Sequence, residues 1–143
     1  MPITPGKFER QTEARVFKYT RPELDGANTK VWLCRSDIMF AGVKVIREGG
    51  ENNLHSHTAL DGFWFVLSGR ARFYGEGDKV IAELGKHEGV HIPRDFAYWF
   101  EAVGDEVLEL LQVESIDRRV ANHRVDHAPR TEQHLNQTHM EAK

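Results

Sequence analysis

Gly49-Gly50-Glu51-Asn52-Asn53-Leu54-His55-Ser56-His57-Thr58-Ala59-Leu60-Asp61-Gly62-Phe63-Trp64-Phe65-Val66-Leu67-Ser68-Gly69 is the stretch on which the reading of this chain turns. Two histidines one residue apart can serve a single metal ion only on an extended backbone. On a strand, residues i and i+2 share a face; on a helix they diverge by about 200°. The flanks favour strand. A Gly/Asn cluster precedes the pair, an Asp-Gly turn signal follows it, and the aromatic run beyond has no helical spacing. Two imidazoles therefore project into whatever the sheet encloses, and neutral imidazole suits zinc, iron, nickel or copper. A solvated or hydrogen-bonded pair is the plainer reading of the same two residues.

Outward from this stretch the chain reads as short strands. Ala14 to Tyr19 is a possible first strand, followed by Val31 to Cys34 and Ile38 to Ile46. Beyond the histidines come Phe63 to Leu67, Ala71 to Tyr74, Val80 to Leu84, Val90 to Ile92, Ala97 to Ala102 and Val107 to Val113. Ser68-Gly69, Gly75-Glu76-Gly77-Asp78, Gly85 and Gly104-Asp105 punctuate them. Strands at intervals of about ten residues indicate an all-β sandwich or barrel. Phe63 to Leu67 is apolar on both faces, so both need covering, one by the interior and the other by a second layer or a second subunit. A homodimer is the expectation.

A chain of 143 residues can bury one real core, and its 40% hydrophobic and 29% charged residues exclude a mostly disordered protein. A net charge of −3 presents no basic face for nucleic acid. The single Cys34 allows neither an intrachain disulfide nor a cysteine-based zinc cluster. No apolar run approaches membrane-spanning length, and the first residues lack a signal-peptide core, so the expected location is the cytoplasm. No glycine-rich phosphate loop and no serine or cysteine nucleophile with an assigned base is visible.

The histidine stretch resembles the first signature of the cupin superfamily: Gly, five residues, His-x-His, three or four residues, Glu, six residues, Gly. Gly49, His55, His57 and Gly69 match it. Counted back from Gly69, the signature's glutamate falls on Gly62, with Asp61 one residue earlier. The second signature is degraded over residues 87–98. Pro93 matches, but its two glycines fall on His87 and Asp95 and its histidine on Tyr98. The resemblance implies a double-stranded β-helix, the cupin jelly-roll barrel. It divides the chain into an N-terminal arm with a first strand (1–30), a barrel (31–116) and a polar tail (117–143). The tail's His123, His127, His134 and His139 have irregular spacing and read as part of a solvated or partner-clasping segment, with a weak helical turn or two from Thr131.

The resemblance further implies one divalent transition metal (iron, zinc, nickel and manganese are not distinguished) held by His55 and His57. Asp61 is the candidate carboxylate and Tyr98 the candidate last ligand or acid–base group. Asp-Gly is also a strong hairpin signal, and parity points Gly62 inward and Asp61 away unless the turn rotates it. Tyr98 reads equally as an aromatic core residue with a satisfied hydroxyl. Trp64, Phe96, Phe100 and Phe40 are the expected pocket walls, with His91 reaching the same space. Such walls favour a small, partly apolar organic molecule. An oxygenase, isomerase or lyase follows from this set. The alternative is a metal-independent binding or sensor cupin that has lost its catalytic ligands, and a structural dimeric scaffold is a third reading.

Overall fold

A computed structural model describes residues 8–23, 26–130 and 137–143. These residues form eleven strands: β1 (Asn28–Arg35), β2 (Met39–Ile46), β3 (Gly50–His57), β4 (Leu60–Ser68), β5 (Arg70–Tyr74), β6 (Val80–Leu84), β7 (Gly89–Ile92), β8 (Tyr98–Val103), β9 (Leu108–Ile116), β10 (Arg124–Asp126) and β11 (Thr138–Glu141). A 3₁₀ turn at Glu76–Asp78 joins β5 to β6. None of the described residues is in a helix long and apolar enough to cross a membrane.

The strands make two sheets, ordered β11-β1-β2-β9-β4-β7 and β10-β3-β8-β5-β6. Non-consecutive neighbours such as β2–β9 and β3–β8 arise because the chain crosses between the sheets and returns. Alternation along the strands sets what lies between them. In β4, Leu60, Gly62, Trp64 and Val66 are buried while the residues between them are not. In β9 the buried set is Leu108, Leu110, Gln112 and Glu114. Trp64, Phe73, Phe100, Leu108 and Leu110 fill the interior with no exposed surface. Trp64 lies 5.8 Å from Phe73 and 5.2 Å from Phe100 between ring centroids.

The outer face of the larger sheet has a core of its own, Val31, Leu33, Ala41, Val43 and Val45, covered in part by Tyr19 and Ala142. The expected strand at Ala14 to Tyr19 is not formed. That segment lies as an arm, tied by Lys18 N–H to the Lys143 carbonyl and by the Tyr19 hydroxyl to Glu109. Burial and the Glu109 carboxylate push the Tyr19 phenol well above its ordinary range, so it stays a donor. Farther across the same face Phe63 is 48% exposed and stacks on Phe65.

The polar tail differs from its expectation. β10 pairs antiparallel with β3 and β11 pairs parallel with β1, so the tail adds an edge strand to each sheet. Residues 131–136 lie outside the described residues, and the expected helical turns do not extend over Thr138–Glu141, which is strand. Polar residues gain from this place because their side chains and the open edges of β3 and β1 satisfy one another. Trp32 Nε1–H donates to His139 Nδ1 (3.2 Å), and Arg35 is paired with Glu141.

Burial chiefly, with the charges of Lys30, Lys44 and Arg35, holds the His139 imidazole below its ordinary value. The unfolded chain therefore takes up a proton before the folded one does. The contribution of neutral His139 to stability is complete above about pH 6.5 and is lost as pH falls through the lower folded-state value. Urea midpoints followed from pH 8 to pH 5 should drop more for the wild type than for His139→Gln. Equal pH dependence would refute this role.

All four glycine positions of the two cupin signatures adopt left-handed backbone here. Gly49 and Gly69 have φ of 74° and 77°, and the substituted positions His87 and Asp95 have 68° and 66°. His87 thus holds a conformation costing an L-residue about 1–2 kcal/mol. His87→Gly should therefore stabilise the protein by about 0.5 kcal/mol, after glycine's greater entropy loss is subtracted. The loss of His87 stacking on Phe65 limits the gain. A lower urea midpoint would contradict the assignment.

Candidate functional site

β3 carries both histidines, and its neighbours hold it from either side. His55 is directly opposite Tyr98 on β8 and opposite Asp126 on β10. Asn53 Nδ2 donates to Asp126 Oδ1 (2.9 Å), while Arg124 donates to Asn53 Oδ1 (3.0 Å). Burial raises the Asp126 carboxyl, but the bonds from Arg124 and Asn53 and the charges of Arg124 and Arg130 outweigh it and bring it down to about 2. The strand is thus fixed by a polar clasp to the β10 edge, beside its two histidines.

His55 is fully buried. Its Nδ1 lies 2.8 Å from the Asn53 carbonyl. A carbonyl can only accept, so Nδ1 carries the proton and Nε2 the lone pair. Metal-ligating histidines are oriented in the same way, by donating the other ring N–H to a carbonyl or carboxylate. The His55 and His57 ring centroids are 5.2 Å apart and those of His55 and Tyr98 4.5 Å.

His57, Tyr98, Phe96 and Gly62, together with Glu114, line a narrow hollow with no room for a water molecule. Glu114 was not among the residues anticipated, and it is 2% exposed. It stands directly opposite Gly62 across the β4–β9 ladder. A Cβ built on Gly62 would lie 3.2 Å from each Glu114 carboxylate oxygen and 3.0 Å from Trp64 Nε1. Gln112 Nε2 donates to Glu114 Oε1 (2.9 Å). Trp64 Nε1 is buried and has no hydrogen-bond partner among the described residues. Lys44, also buried, places its Nζ 5.9 Å from the Phe100 ring. The signal for these residues was in the alternation: Gln112, Glu114 and Lys44 sit at inward positions of strands that otherwise bury apolar side chains there.

Asp61 is not brought to the histidines. It belongs to the outer face of β4, where His91 Nε2 donates to its Oδ2 (2.9 Å) and the Arg94 backbone N–H to its Oδ1 (3.1 Å). The His91 bond, aided by Arg94 and opposed by burial, holds its carboxyl below the ordinary value. The physical reason is parity. Asp61-Gly62 is not the hairpin turn but lies within β4, the connection being Thr58–Ala59, so nothing rotates Asp61 inward. His91 is on that outer face too, away from the hollow.

Of the expected walls, Phe96 lines the hollow and is 41% exposed on its other side. Trp64 aims its ring nitrogen at the Gly62 space. Phe100 is instead a core residue against Trp64 and Phe73. Phe40 stands directly opposite Glu114 on the β2–β9 ladder but packs its ring against Trp32 and Phe8 and is not among the residues lining the hollow.

A metal ion can be tested against this geometry. With metal–nitrogen bonds of about 2.1 Å, two imidazole centroids around one ion are separated by about 4.5–5.3 Å, depending on the bond angle. The observed 5.2 Å falls within this range. The histidine pair therefore fits a shared ion, and the His55 tautomer suits it. As the side chains stand, however, no three His, Cys, Asp or Glu among the described residues form a group ready to hold one.

No family model matches the sequence, and no curated protein matches it either. The likeness is three-dimensional. A protein from Klebsiella pneumoniae with a double-stranded β-helix domain superposes with a TM-score of 0.63 at 19% identity, over 79% of this chain and 98% of that one. An RmlC-like cupin from Desulfovibrio desulfuricans gives 0.56 at 20% identity, over 74% and 97%. The polyketide cyclase RemF from Streptomyces resistomycificus gives 0.53 at 18% identity, over 67% and 64%. Two facing sheets and the crossed strand order agree with these neighbours: the chain has the double-stranded β-helix fold that they share.

Proposed function

We propose that this protein binds a divalent transition metal through His55 and His57 and acts on a small, partly apolar organic molecule. The observation that carries the reading is the pair of imidazoles at 5.2 Å, with His55 locked by Asn53 in the tautomer that a metal requires. A bound metal would supply Lewis acidity, polarising an oxygen of the substrate. The chain's own part is orientation and proton handling. Tyr98, against His55, offers its hydroxyl proton to the substrate and takes one back as the phenolate.

The hollow is smaller than the ~300–1,000 Å³ typical of organic-ligand sites. Next to it, across Phe96, lies a groove of about 630 Å³ lined by Val80, Ile81 and Ala97, with Lys79 and Asp95 at the edge. The groove has room without chemistry, and the hollow has chemistry without room. Phe96 borders both, so the substrate body rests in the groove and its oxygen-bearing end passes Phe96 when that ring turns. An apolar body with a carbonyl, enol or carboxylate at one end suits this path.

One observation favours the second reading, metal-independent ligand binding: no group of three ligands is assembled among the described residues. Elemental analysis of protein prepared without a metal-affinity step separates the two. About one metal per chain supports the first. A chain that carries none, and whose melting temperature zinc, iron, nickel and manganese all leave unchanged, refutes it.

A further inference from the structure

We propose that Glu114 supplies the carboxylate missing at position 62, so that the third protein ligand has moved from β4 to the facing position on β9. This rests on the metal reading above. Gly62 and Glu114 are cross-strand partners, so a side chain from either begins on the same inner face of the barrel. The Glu114 carboxylate already occupies the space at Gly62, both oxygens 3.2 Å from where a Cβ would be. The two residues are complementary. A Cβ at 62 would push that carboxylate aside by a few tenths of an ångström, and glycine leaves it where it is.

A second observation points to the same spot. Trp64 Nε1, on a side chain with 0% exposure, is aimed there and has no hydrogen-bond partner among the described residues. It can donate to the outer oxygen of a carboxylate that has turned toward a metal, as outer-sphere donors do. Gln112 holds Oε1 and so sets which way the group faces. The side chains as they stand do not complete a group of three, so Glu114 has to turn about its own rotatable bonds to ligate. Two neutral imidazoles and one carboxylate would then complete a facial set with open positions for substrate.

The test is titration of the metal-free full chain with cobalt(II) and zinc(II), following affinity, stoichiometry and the cobalt absorption spectrum. The variants are Glu114→Gln, Gly62→Glu/Glu114→Gly and His55→Ala/His57→Ala, each checked for cooperative melting in chelator. Glu114→Gln should weaken binding by at least the roughly 100-fold that losing an outer-sphere partner can cost. The transposed variant should recover affinity to within about tenfold, because it returns the carboxylate by the family's route. A Glu114→Gln protein that binds as the wild type does, while the histidine variant does not, overturns the inference and leaves the metal reading standing. A folded transposed variant that binds no better than Glu114→Gln also overturns it. Should Glu114→Gln not fold, recovery or loss in the transposed variant decides. A wild type that binds neither ion refutes both.

Discussion

His55→Ala/His57→Ala is expected to abolish metal binding and leave both sheets folded. The two side chains contribute unequally to the fold. His57 is partly exposed and its ring borders the hollow, so its removal leaves space that water can enter. His55 is fully buried, and its loss opens a cavity and strips the Asn53 carbonyl of a donor. Comparable core truncations and orphaned polar groups cost about 2–4 kcal/mol. Domains of this size have about 5–15 kcal/mol in hand, so the double variant should fold with a lower melting temperature. The interior core of Trp64, Phe73, Phe100, Leu108 and Leu110 is untouched by either change. Metal saturation at about 100 times its dissociation constant should stabilise the wild type by about 2.7 kcal/mol and the variant not at all. Differential scanning calorimetry with and without zinc, paired with elemental analysis, makes the comparison. A variant that retains one metal per chain would place the ion elsewhere.

Trp64→Ala is expected to be the most damaging single truncation, at about 3–5 kcal/mol. The indole has no exposed surface and touches Phe73, Phe100 and Tyr98 through tilted or edge-on rings at 5.8, 5.2 and 6.1 Å. It therefore joins the core to the site, and truncation should loosen Tyr98 as well as the packing. Trp64→Phe separates the parts of this effect. It keeps most of the apolar volume and removes an N–H without a partner among the described residues, so it should cost less than half as much. Urea midpoints at constant m give both numbers. A Trp64→Ala cost below about 1 kcal/mol would mean that the ring is not packed as described.

Placements that depend only on strand parity are legible in the sequence. His55 and His57 share a face because side chains alternate, and alternation is a property of one strand. The same rule puts Gly62 inward and Asp61 outward, and the outward placement holds in the fold, with His91 and Arg94 as the partners of Asp61. Reading Asp61-Gly62 as a turn fails because a local dipeptide preference yields to long ladders with β9 and β7 that run through it or beside it. Phe40 and Phe100 are expected at the pocket because they are aromatic and face inward. Inward is a direction and not a depth, and depth depends on the partners across the barrel.

From sequence alone came the all-β character, most strand positions, the turns at Gly49 and Gly69, and the common face of the two histidines. Each is a consequence of residues within a few positions of one another. Tertiary structure alone decided that Glu114 meets Gly62 and that Phe96 divides hollow from groove. It also decided that the polar tail closes the edges of β3 and β1. These depend on register between strands distant in the chain, which is set by how the whole barrel packs and leaves no local mark.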